Sequence, residues 1–309
     1  MTPRLQRDAN PKRIKKIDLT TTCDHVVFVS SSGHCSLDCP YCIVSPVVKH
    51  QPSLTYADLA FLLEQLKGRA FLIFSGKGDF FAGYHKKERL LERLLAHDIE
   101  IALDINGVIL HELPELEASA IAKFRFVNLT LHYHELKRKG ALAVWARNAL
   151  TLVDRLGESV MFLGFILTPA ERPLWGEALD FYRRAVHAET GMPLVLIKDV
   201  QRPFTDELRR QSEALAEANA DIVAELFEED LGQRFASHDH VLCPAGTSYF
   251  RLWNDGRIEG CPYIEARRDC GNVKERRFLP LDGLFRCNEA RHCDCNNIAL
   301  TGKMVFPSL

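Results

Sequence analysis

Three cysteines stand close together early in the chain, with the spacing Cys35-x3-Cys39-x2-Cys42. Three thiolates at this spacing can ligate three corners of a [4Fe–4S] cube, whereas a cluster held entirely by protein takes four. The remaining iron would then be open to a chelating substrate or cofactor. A structural zinc ion is the alternative, because zinc takes four tetrahedral ligands and His34 or a distant residue would have to supply the fourth. The spacing alone leaves both readings open.

A second group of cysteines lies near the end of the chain. Six of the ten cysteines fall between residues 235 and 309, namely Cys243, Cys261, Cys270, Cys287, Cys293 and Cys295. In a reducing cytosol, clustered thiols more often bind metal or do chemistry than form disulfides. The isolated Cys23 suits the ordinary role of a small buried apolar residue.

The composition narrows the class of protein. The chain has 309 residues, with Lys+Arg 39 against Asp+Glu 41 and a net charge of −2. This balance disfavours nucleic acid as a partner. No apolar run is long enough to span a membrane, and the charged N-terminus has no apolar stretch behind it that would make a signal peptide. We therefore expect a cytoplasmic protein with no membrane partner.

Strand-like runs alternate with helical patterns through the middle of the chain. The runs are almost continuously apolar, as expected of parallel strands covered on both faces; they are His25–Ser31, Arg69–Ser75, Asp98–Asp104, Arg125–Leu131, Val160–Leu167 and Leu194–Val200. The segments with helical spacing are 53–66, 86–97, 111–123, 135–154, 175–190 and 205–230.

This alternation predicts an α/β fold. Six βα units imply right-handed crossovers and a partial (β/α)6 barrel of parallel strands, with a doubly wound open sheet as the structural alternative. In either architecture the carboxyl ends of the strands form the catalytic edge, and the first cysteine group follows the first strand.

The composition changes after about residue 235. Gly, Asp, Asn, Arg and Cys become frequent, and Tyr249–Trp253, Asn254-Asp255-Gly256 and Arg257–Gly260 predict a β-hairpin with a tight turn. We therefore divide the chain into an N-terminal extension over 1–24, the barrel over 25–234 and a small Cys-rich C-terminal domain over 235–309.

The first cysteine group resembles the signature of radical S-adenosylmethionine (radical SAM) enzymes. The resemblance lies in the Cys35/Cys39/Cys42 spacing and the aromatic Tyr41 before the last cysteine, and the βα units resemble that family's partial barrel. It implies a [4Fe–4S] cluster on these cysteines, with S-adenosyl-L-methionine chelating the open iron. It also implies cleavage to a 5′-deoxyadenosyl radical that abstracts hydrogen from a substrate, with flavodoxin or ferredoxin as electron donor.

The resemblance extends to cofactor-binding positions, Tyr41 among them. Ser75-Gly76-Lys77-Gly78-Asp79 resembles the Gly-Gly-Glu-like segment whose backbone receives the methionine amino group, although it also reads as an ordinary βα turn. Asp104-Ile105-Asn106-Gly107 resembles the Thr-Asn-Gly segment near the ribose, with Asp104 in place of Thr. Four residues alternate along the fourth strand and are expected to face the adenosine and substrate, namely Asn128, Thr130, His132 and His134. Lys198, near the end of the sixth strand, is a further candidate for this pocket.

The C-terminal cysteines resemble the SPASM/twitch extension of that family. Cys243-x12-Gly256-x4-Cys261 matches its hairpin, and Gly271-Asn272-Val273 matches a stretch that follows it. The tail departs from the full pattern, and six thiols are too few for two four-cysteine clusters. The resemblance implies one auxiliary [4Fe–4S] cluster on Cys243 and Cys261, completed by two of Cys287, Cys293 and Cys295. Cys270 is a further candidate ligand, and a structural zinc ion is the alternative.

These features predict a radical SAM oxidoreductase that modifies C–H bonds. The reaction would be oxidation, epimerisation or crosslinking of a small molecule or peptide. The alternatives are an enzyme resembling the GTP-cyclising member of the molybdopterin pathway, or a non-enzymatic zinc-binding module.

Overall fold

One large sheet organises the chain. A computed structural model describes residues 21–30, 34–42, 54–76, 78–83, 88–199, 204–227, 241–261 and 268–287. Seven neighbouring strands of the sheet are parallel and follow one another in chain order. They are β1 (His25–Ser30), β2 (Ala70–Ser75), β3 (Ile99–Ile105), β4 (Phe124–Leu131), β5 (Met161–Leu167), β6 (Leu194–Lys198) and β7 (Val223–Phe227).

Helical segments connect these strands. The α-helices are α1 (Tyr56–Gln65), α2 (Phe80–Gly83), α3 (Leu90–Leu95), α4 (Ala118–Ile121), α5 (Tyr133–Arg138), α6 (Leu142–Leu156), α7 (Trp175–Tyr182), α8 (Ala188–Thr190) and α9 (Asp206–Ala218). Within the described residues there are also two 3-10 helices (Leu113–Glu115 and Pro169–Leu174) and one π-helical stretch (Arg183–His187). No helix in these described ranges combines the length and apolar character needed to cross a bilayer.

The strand order confirms the predicted α/β fold and excludes the doubly wound alternative. A doubly wound sheet reverses its strand order at a switch point. Here the order runs from β1 to β7 without reversal, so right-handed crossovers place the helices on one face, as in a partial β/α barrel. The six predicted strands are all present.

The seventh strand corrects the sequence analysis. The segment 205–230 is not one helix, because α9 ends at Ala218 and β7 begins at Val223. The Asn219 side chain ends the helix by donating to the Leu215 carbonyl at 2.8 Å, and Ile222 and Val223 then enter the core beside β6. The segment 135–154 is likewise two helices, because Gly140 adopts a left-handed conformation (φ +65°) between α5 and α6.

A second group of strands lies in the C-terminal part of the described chain, and four of them extend the same sheet beyond β1. It comprises β8 (Val241–Cys243), β9 (Tyr249–Leu252), β10 (Arg257–Glu259), β11 (Asp269–Asn272), β12 (Arg277–Phe278) and β13 (Phe285–Cys287). β9 pairs in parallel with β1, and β10, β11 and β12 continue antiparallel from it, so that the sheet has eleven strands in the described part of the chain. β8 and β13 form a separate antiparallel pair. The predicted hairpin is therefore β9–β10, and it joins the barrel sheet directly.

The two faces of the sheet differ in what they contact. Val27 and Val29 of β1 belong to the core that packs under the helices, whereas Phe28 and Ser30 alternate with them on the opposite face, which we call the interior face. Its amino-end half holds a small apolar cluster around Phe162 and Val195. Polar side chains follow towards the carboxyl ends of the strands.

Candidate functional site

The cysteine loop lies at the carboxyl end of β1. Cys35 and Cys39 are half-buried and Cys42 is exposed, and the Cys42 amide donates to the Cys39 carbonyl at 3.0 Å. Burial is the main cause that raises the pKa of Cys39 to about 12, and the neighbouring Cys35 and Cys42 thiols contribute to the rise. The three sulfur groups are therefore close enough to interact electrostatically.

The donor set fits an iron–sulfur cluster. Three soft sulfur ligands from one loop, partly open to solvent, are the ligands that such clusters take. In tetrahedral zinc sites the sulfur atoms would be about 3.8 Å apart for a Zn–S bond of about 2.3 Å. Within the described part of the chain, no three His, Cys, Asp or Glu side chains are arranged to share one such ion. A cube, by contrast, takes each thiolate on a different iron.

Helix α5 holds the cysteine loop from one side. Glu135, whose side chain is 1% exposed, accepts the Asp38 amide at 2.9 Å. The Lys139 ammonium donates to the Ser36 carbonyl at 2.8 Å and to the Asp38 carboxylate at 2.9 Å. Arg138 donates two hydrogen bonds of 2.7 Å to Glu135 and so holds the pKa of that carboxyl below its ordinary value. These contacts restrain the backbone between Cys35 and Cys39.

The segment after β2 holds the loop from the other side. The buried Asp79 accepts the Asn106 amide at 2.6 Å and the Phe81 amide at 3.0 Å, and its own amide donates to the His34 carbonyl at 2.7 Å. Burial raises the pKa of the Asp79 carboxyl to about 6. Gly78 has φ +93°, and a Cβ on it would lie 2.2 Å from the His34 oxygen. Gly76 also has positive φ (+95°), and Lys77 lies outside the described residues.

The Asn106 side chain also contacts the cysteine loop. Its Nδ2 donates to Ser36 Oγ at 3.0 Å and to Cys35 Sγ at 3.4 Å, and its Oδ1 accepts the Val108 amide at 3.0 Å. The sequence resemblance led us to expect Asn106 near a ribose. In this structure its amide is directed to the first cysteine.

Polar side chains line the interior face beside this loop. Asp104 lies opposite Asn128 in the β3–β4 ladder, and Ser30 lies opposite Ser75 in the β1–β2 ladder. Burial raises the pKa of the Asp104 carboxyl, and hydrogen bonds from the Ser75 and Asn128 side chains lower it in part. Ser75, Asp104 and Asn128 therefore form one connected group across β2, β3 and β4.

Some buried polar atoms of the interior face have no protein partner among the described residues, Ser30 Oγ and Asn128 Oδ1 among them. Buried polar groups in native proteins nearly always have a partner, so unpaired ones need an explanation. A polar ligand bound on the interior face would supply one.

The fourth-strand residues separate at the end of β4. Thr130 and His132 continue the interior alternation, and Tyr41 Oη lies 2.7 Å from His132 Nδ1, with the two rings stacked at 5.9 Å. Burial lowers the pKa of His132 to about 4, so that the ring is neutral at pH 7. His134 lies in α5 instead, 3.4 Å from Glu171, because β4 ends at Leu131. The expectation that it shares the strand face is wrong.

Lys198 does not join this group. It is buried at the end of β6, and by alternation it shares the face of Leu194 and Leu196, which pack under the helices.

The extension contributes a cation that sequence reasoning missed. Arg251 of β9 lies opposite Phe28 of β1, and its guanidinium is 5.0 Å from the Phe28 ring centroid and 4.2 Å from that of Trp253. This stacking places a positive charge on the interior face, on the far side of β1 from Asp104. The alternation of Tyr249, Arg251 and Trp253 in the predicted strand was the available signal.

Cys270 and the residue before Cys261 lie against Gly246. Cys243, Cys261 and Cys270 are buried. A Cβ on Gly246 would lie 3.4 Å from Cys270 Sγ, and one on Gly260, next to Cys261, would lie 2.8 Å from the Gly246 Cα atom. The β8–β13 register pairs Cys243 with Phe285 and Cys287 with Val241. Cys293 and Cys295 lie outside the described residues, so the proposed ligand set stays a prediction.

The chain is similar to several solved structures. No protein-family model matches the chain, and no curated protein does. Among solved structures, the chain is similar to Streptococcus suis SuiB at 12% identity and TM-score 0.43, over 81% of this chain and 64% of that one. It is similar to anSMEcpe with bound AdoMet and Cp18Cys peptide at 13% identity and TM-score 0.44, over 89% and 81% of the two chains.

A third similar structure is BtrN in complex with AdoMet and 2-DOIA, at 11% identity and TM-score 0.25, over 89% of this chain and 85% of that one. The chain thus spans less than two thirds of SuiB. Because all of these TM-scores are below 0.5, we base the functional proposal on the chain's own residues.

Proposed function

We propose that this chain is a radical SAM enzyme, a cytoplasmic oxidoreductase that modifies C–H bonds of a small molecule or peptide. The observation that carries the proposal is the Cys35-x3-Cys39-x2-Cys42 loop at the carboxyl edge of a parallel sheet, next to an interior face with unpaired buried polar atoms. Flavodoxin or ferredoxin is the proposed electron donor.

The chain's own residues prepare the site. Cys35, Cys39 and Cys42 would hold a [4Fe–4S] cluster by three irons, and when bound this group supplies the electron that cleaves S-adenosylmethionine to a 5′-deoxyadenosyl radical. Glu135 and Lys139 restrain the loop from α5, and Asp79 restrains it from the segment after β2.

The interior face would bind the organic part of the cofactor and the substrate. Ser30 and Asn128 offer unpaired polar atoms, and Asp104 is linked to Asn128. Thr130 and His132 continue that face towards the loop, and His132 contacts Tyr41. When occupied by cofactor and substrate, this face would have to exclude bulk water from the radical.

The test is release of 5′-deoxyadenosine. Protein reconstituted with iron and sulfide without oxygen, then given S-adenosylmethionine and a reductant, should release it. The Cys39→Ala variant should release none, because a cube cannot be held by Cys35 and Cys42 alone. Cys23→Ala is the matched control, since Cys23 is buried beside Thr21 and Glu100 at the other end of the barrel. Release from Cys39→Ala at the wild-type rate would overturn the assignment.

We further propose one auxiliary [4Fe–4S] cluster in the C-terminal extension, held by Cys243 and Cys261 with two of Cys287, Cys293 and Cys295. The burial of Cys243, Cys261 and Cys270, with Cys270 and the residue before Cys261 both against Gly246, supports this region as its site. Reconstituted wild type should contain about eight irons per chain, and a Cys243→Ala/Cys261→Ala variant about four. About four irons in the wild type, or two zinc ions, would contradict the auxiliary cluster.

A further inference from the structure

Asn106 stands at the end of β3 with its amide against the first cysteine of the loop. We infer that Asn106 is a positioning residue that donates a hydrogen bond to the Cys35 sulfur and so raises the reduction potential of the cluster bound there. The inference rests on the proposed function, because it concerns Cys35 as a cluster ligand.

The contact is specific in its geometry. Asn106 Nδ2 lies 3.4 Å from Cys35 Sγ and 3.0 Å from Ser36 Oγ, so the two amide hydrogens have separate acceptors. The Leu37 amide donates to the same sulfur at 3.4 Å. Cys35 therefore receives a hydrogen bond from its own loop and another from the residue that follows β3.

Asn106 is fixed from its backbone outward. Asp79 accepts its amide at 2.6 Å, and its own Oδ1 accepts the Val108 amide at 3.0 Å, which fixes which end of the side-chain amide faces the sulfur. The Asn148 side chain of α6 donates to the Gly107 carbonyl at 2.8 Å, so the residue next to Asn106 is also fixed. Asn106 as a whole residue is only 4% exposed, so its side chain has little freedom to turn away from the Cys35 sulfur.

This arrangement has a consequence for electron transfer. A cluster gains one negative charge when it is reduced, and part of that charge lies on its thiolate ligands. A neutral N–H donor fixed on one thiolate stabilises the reduced state more than the oxidised state, so hydrogen bonds to the sulfurs raise the potential. Asn106 would make the cluster easier to reduce by a cellular donor.

The test is an EPR-monitored redox titration of the reconstituted protein, with two variants and one control. Asn106→Ala removes the donor, and Asn106→Asp keeps the shape and the acceptor for Val108 but cannot donate to the sulfur. Asn148→Ala is the control, because it loosens the same segment without touching a cysteine. We expect a more negative midpoint in both Asn106 variants and an unchanged midpoint in Asn148→Ala, even where its melting temperature falls.

Each outcome decides the inference. If Asn106→Ala has the midpoint potential of the wild type, the inference is wrong. If Asn106→Ala holds no cluster, a wild-type midpoint potential in Asn106→Asp would overturn it instead. An equal shift in Asn148→Ala would also overturn it, since loosening alone would then explain the effect. A wild-type protein that assembles no cubane would instead overturn the proposed function, and this inference with it.

Discussion

Gly78 is the residue that lets the segment after β2 pass against the cysteine loop. Its φ is +93°, and any Cβ would overlap the His34 carbonyl, which accepts the Asp79 amide. Gly78→Ala should lower the free energy of unfolding of the metal-free protein by about 3 kcal/mol, since strained backbone and a steric clash add. Urea denaturation measures this.

Gly140 provides the matched control for that prediction. It also has positive φ (+65°), but no atom lies within 4 Å of a Cβ built on it. Gly140→Ala should therefore lower the free energy of unfolding by only about 1 kcal/mol, because an alanine there must adopt a left-handed backbone conformation. Equal losses of unfolding free energy in the two variants would show that the close approach of Gly78 to the His34 carbonyl has no effect on stability.

The cysteines differ in burial, and their reactivity should follow it. Cys42 is exposed, whereas Cys270 is 0% exposed and burial raises its pKa to about 11. Because the thiolate is the nucleophile, iodoacetamide at pH 8 should modify Cys42 of the reduced, metal-free protein at least about tenfold faster than Cys270. Peptide mass spectrometry measures both rates. Unfolding in urea should make them similar, and similar rates in the folded protein would contradict the burial.

Among single residues, the sequence reveals the cysteine ligands more readily than the residues that hold the cysteine loop in place. The cysteine spacing is local, so it can be recognised without a structure. Glu135 stands 97 residues after Asp38, whose amide it accepts, and Asp79 stands 27 residues before Asn106. Nothing in the neighbouring residues marks these partners, because only the fold brings them together.

At the scale of elements, α5 holds the cysteine loop through one buried carboxylate. Arg138 depresses the pKa of Glu135, so the interaction stabilises the fold above the ordinary pKa of about 4.3 and is lost as the pH falls below it. Glu135→Gln should lower the free energy of unfolding of the metal-free protein at pH 7 by about 1–2 kcal/mol, because Arg138 is half-exposed. The difference from wild type should shrink between pH 5 and about pH 3.

Glu207→Gln serves as the control on a different helix. Glu207 pairs with Arg210 within α9, and both side chains are exposed, so the variant should have nearly the wild-type free energy of unfolding at pH 7. A Glu135→Gln variant that behaves in the same way at every pH would mean that α5 does not restrain the loop.

Element boundaries were predictable where pattern and packing agree. All six apolar runs became strands, because a parallel strand buried on both faces needs an unbroken apolar sequence. β7 was missed because α9 and β7 are separated only by residues 219–222, and Val223–Phe227 continues an apparently helical pattern. Its identity as a strand comes from pairing with β6, which is a tertiary contact.

At the scale of the whole molecule, the C-terminal extension shares the barrel's sheet and core. β9 pairs with β1, and Phe250 and Leu252 belong to the same apolar core as Val27 and Val29. The Arg276 guanidinium donates to the Ala57 carbonyl of α1 at 2.8 Å. Composition predicted a boundary near residue 235 but could not show this pairing, since a change in residue usage does not reveal which strand edge the next segment covers.

Because the barrel and the C-terminal extension share one sheet and one apolar core, we expect the metal-free chain to unfold as one unit. Removal of β9 would uncover the edge of β1 and the apolar side chains under Phe250 and Leu252, so neither part can keep its buried area alone. Differential scanning calorimetry should show one transition, with van't Hoff and calorimetric enthalpies that agree. A chain ending at residue 240 should lack that transition. Two resolved transitions, or a native melting curve for the shortened chain, would instead establish an independent barrel.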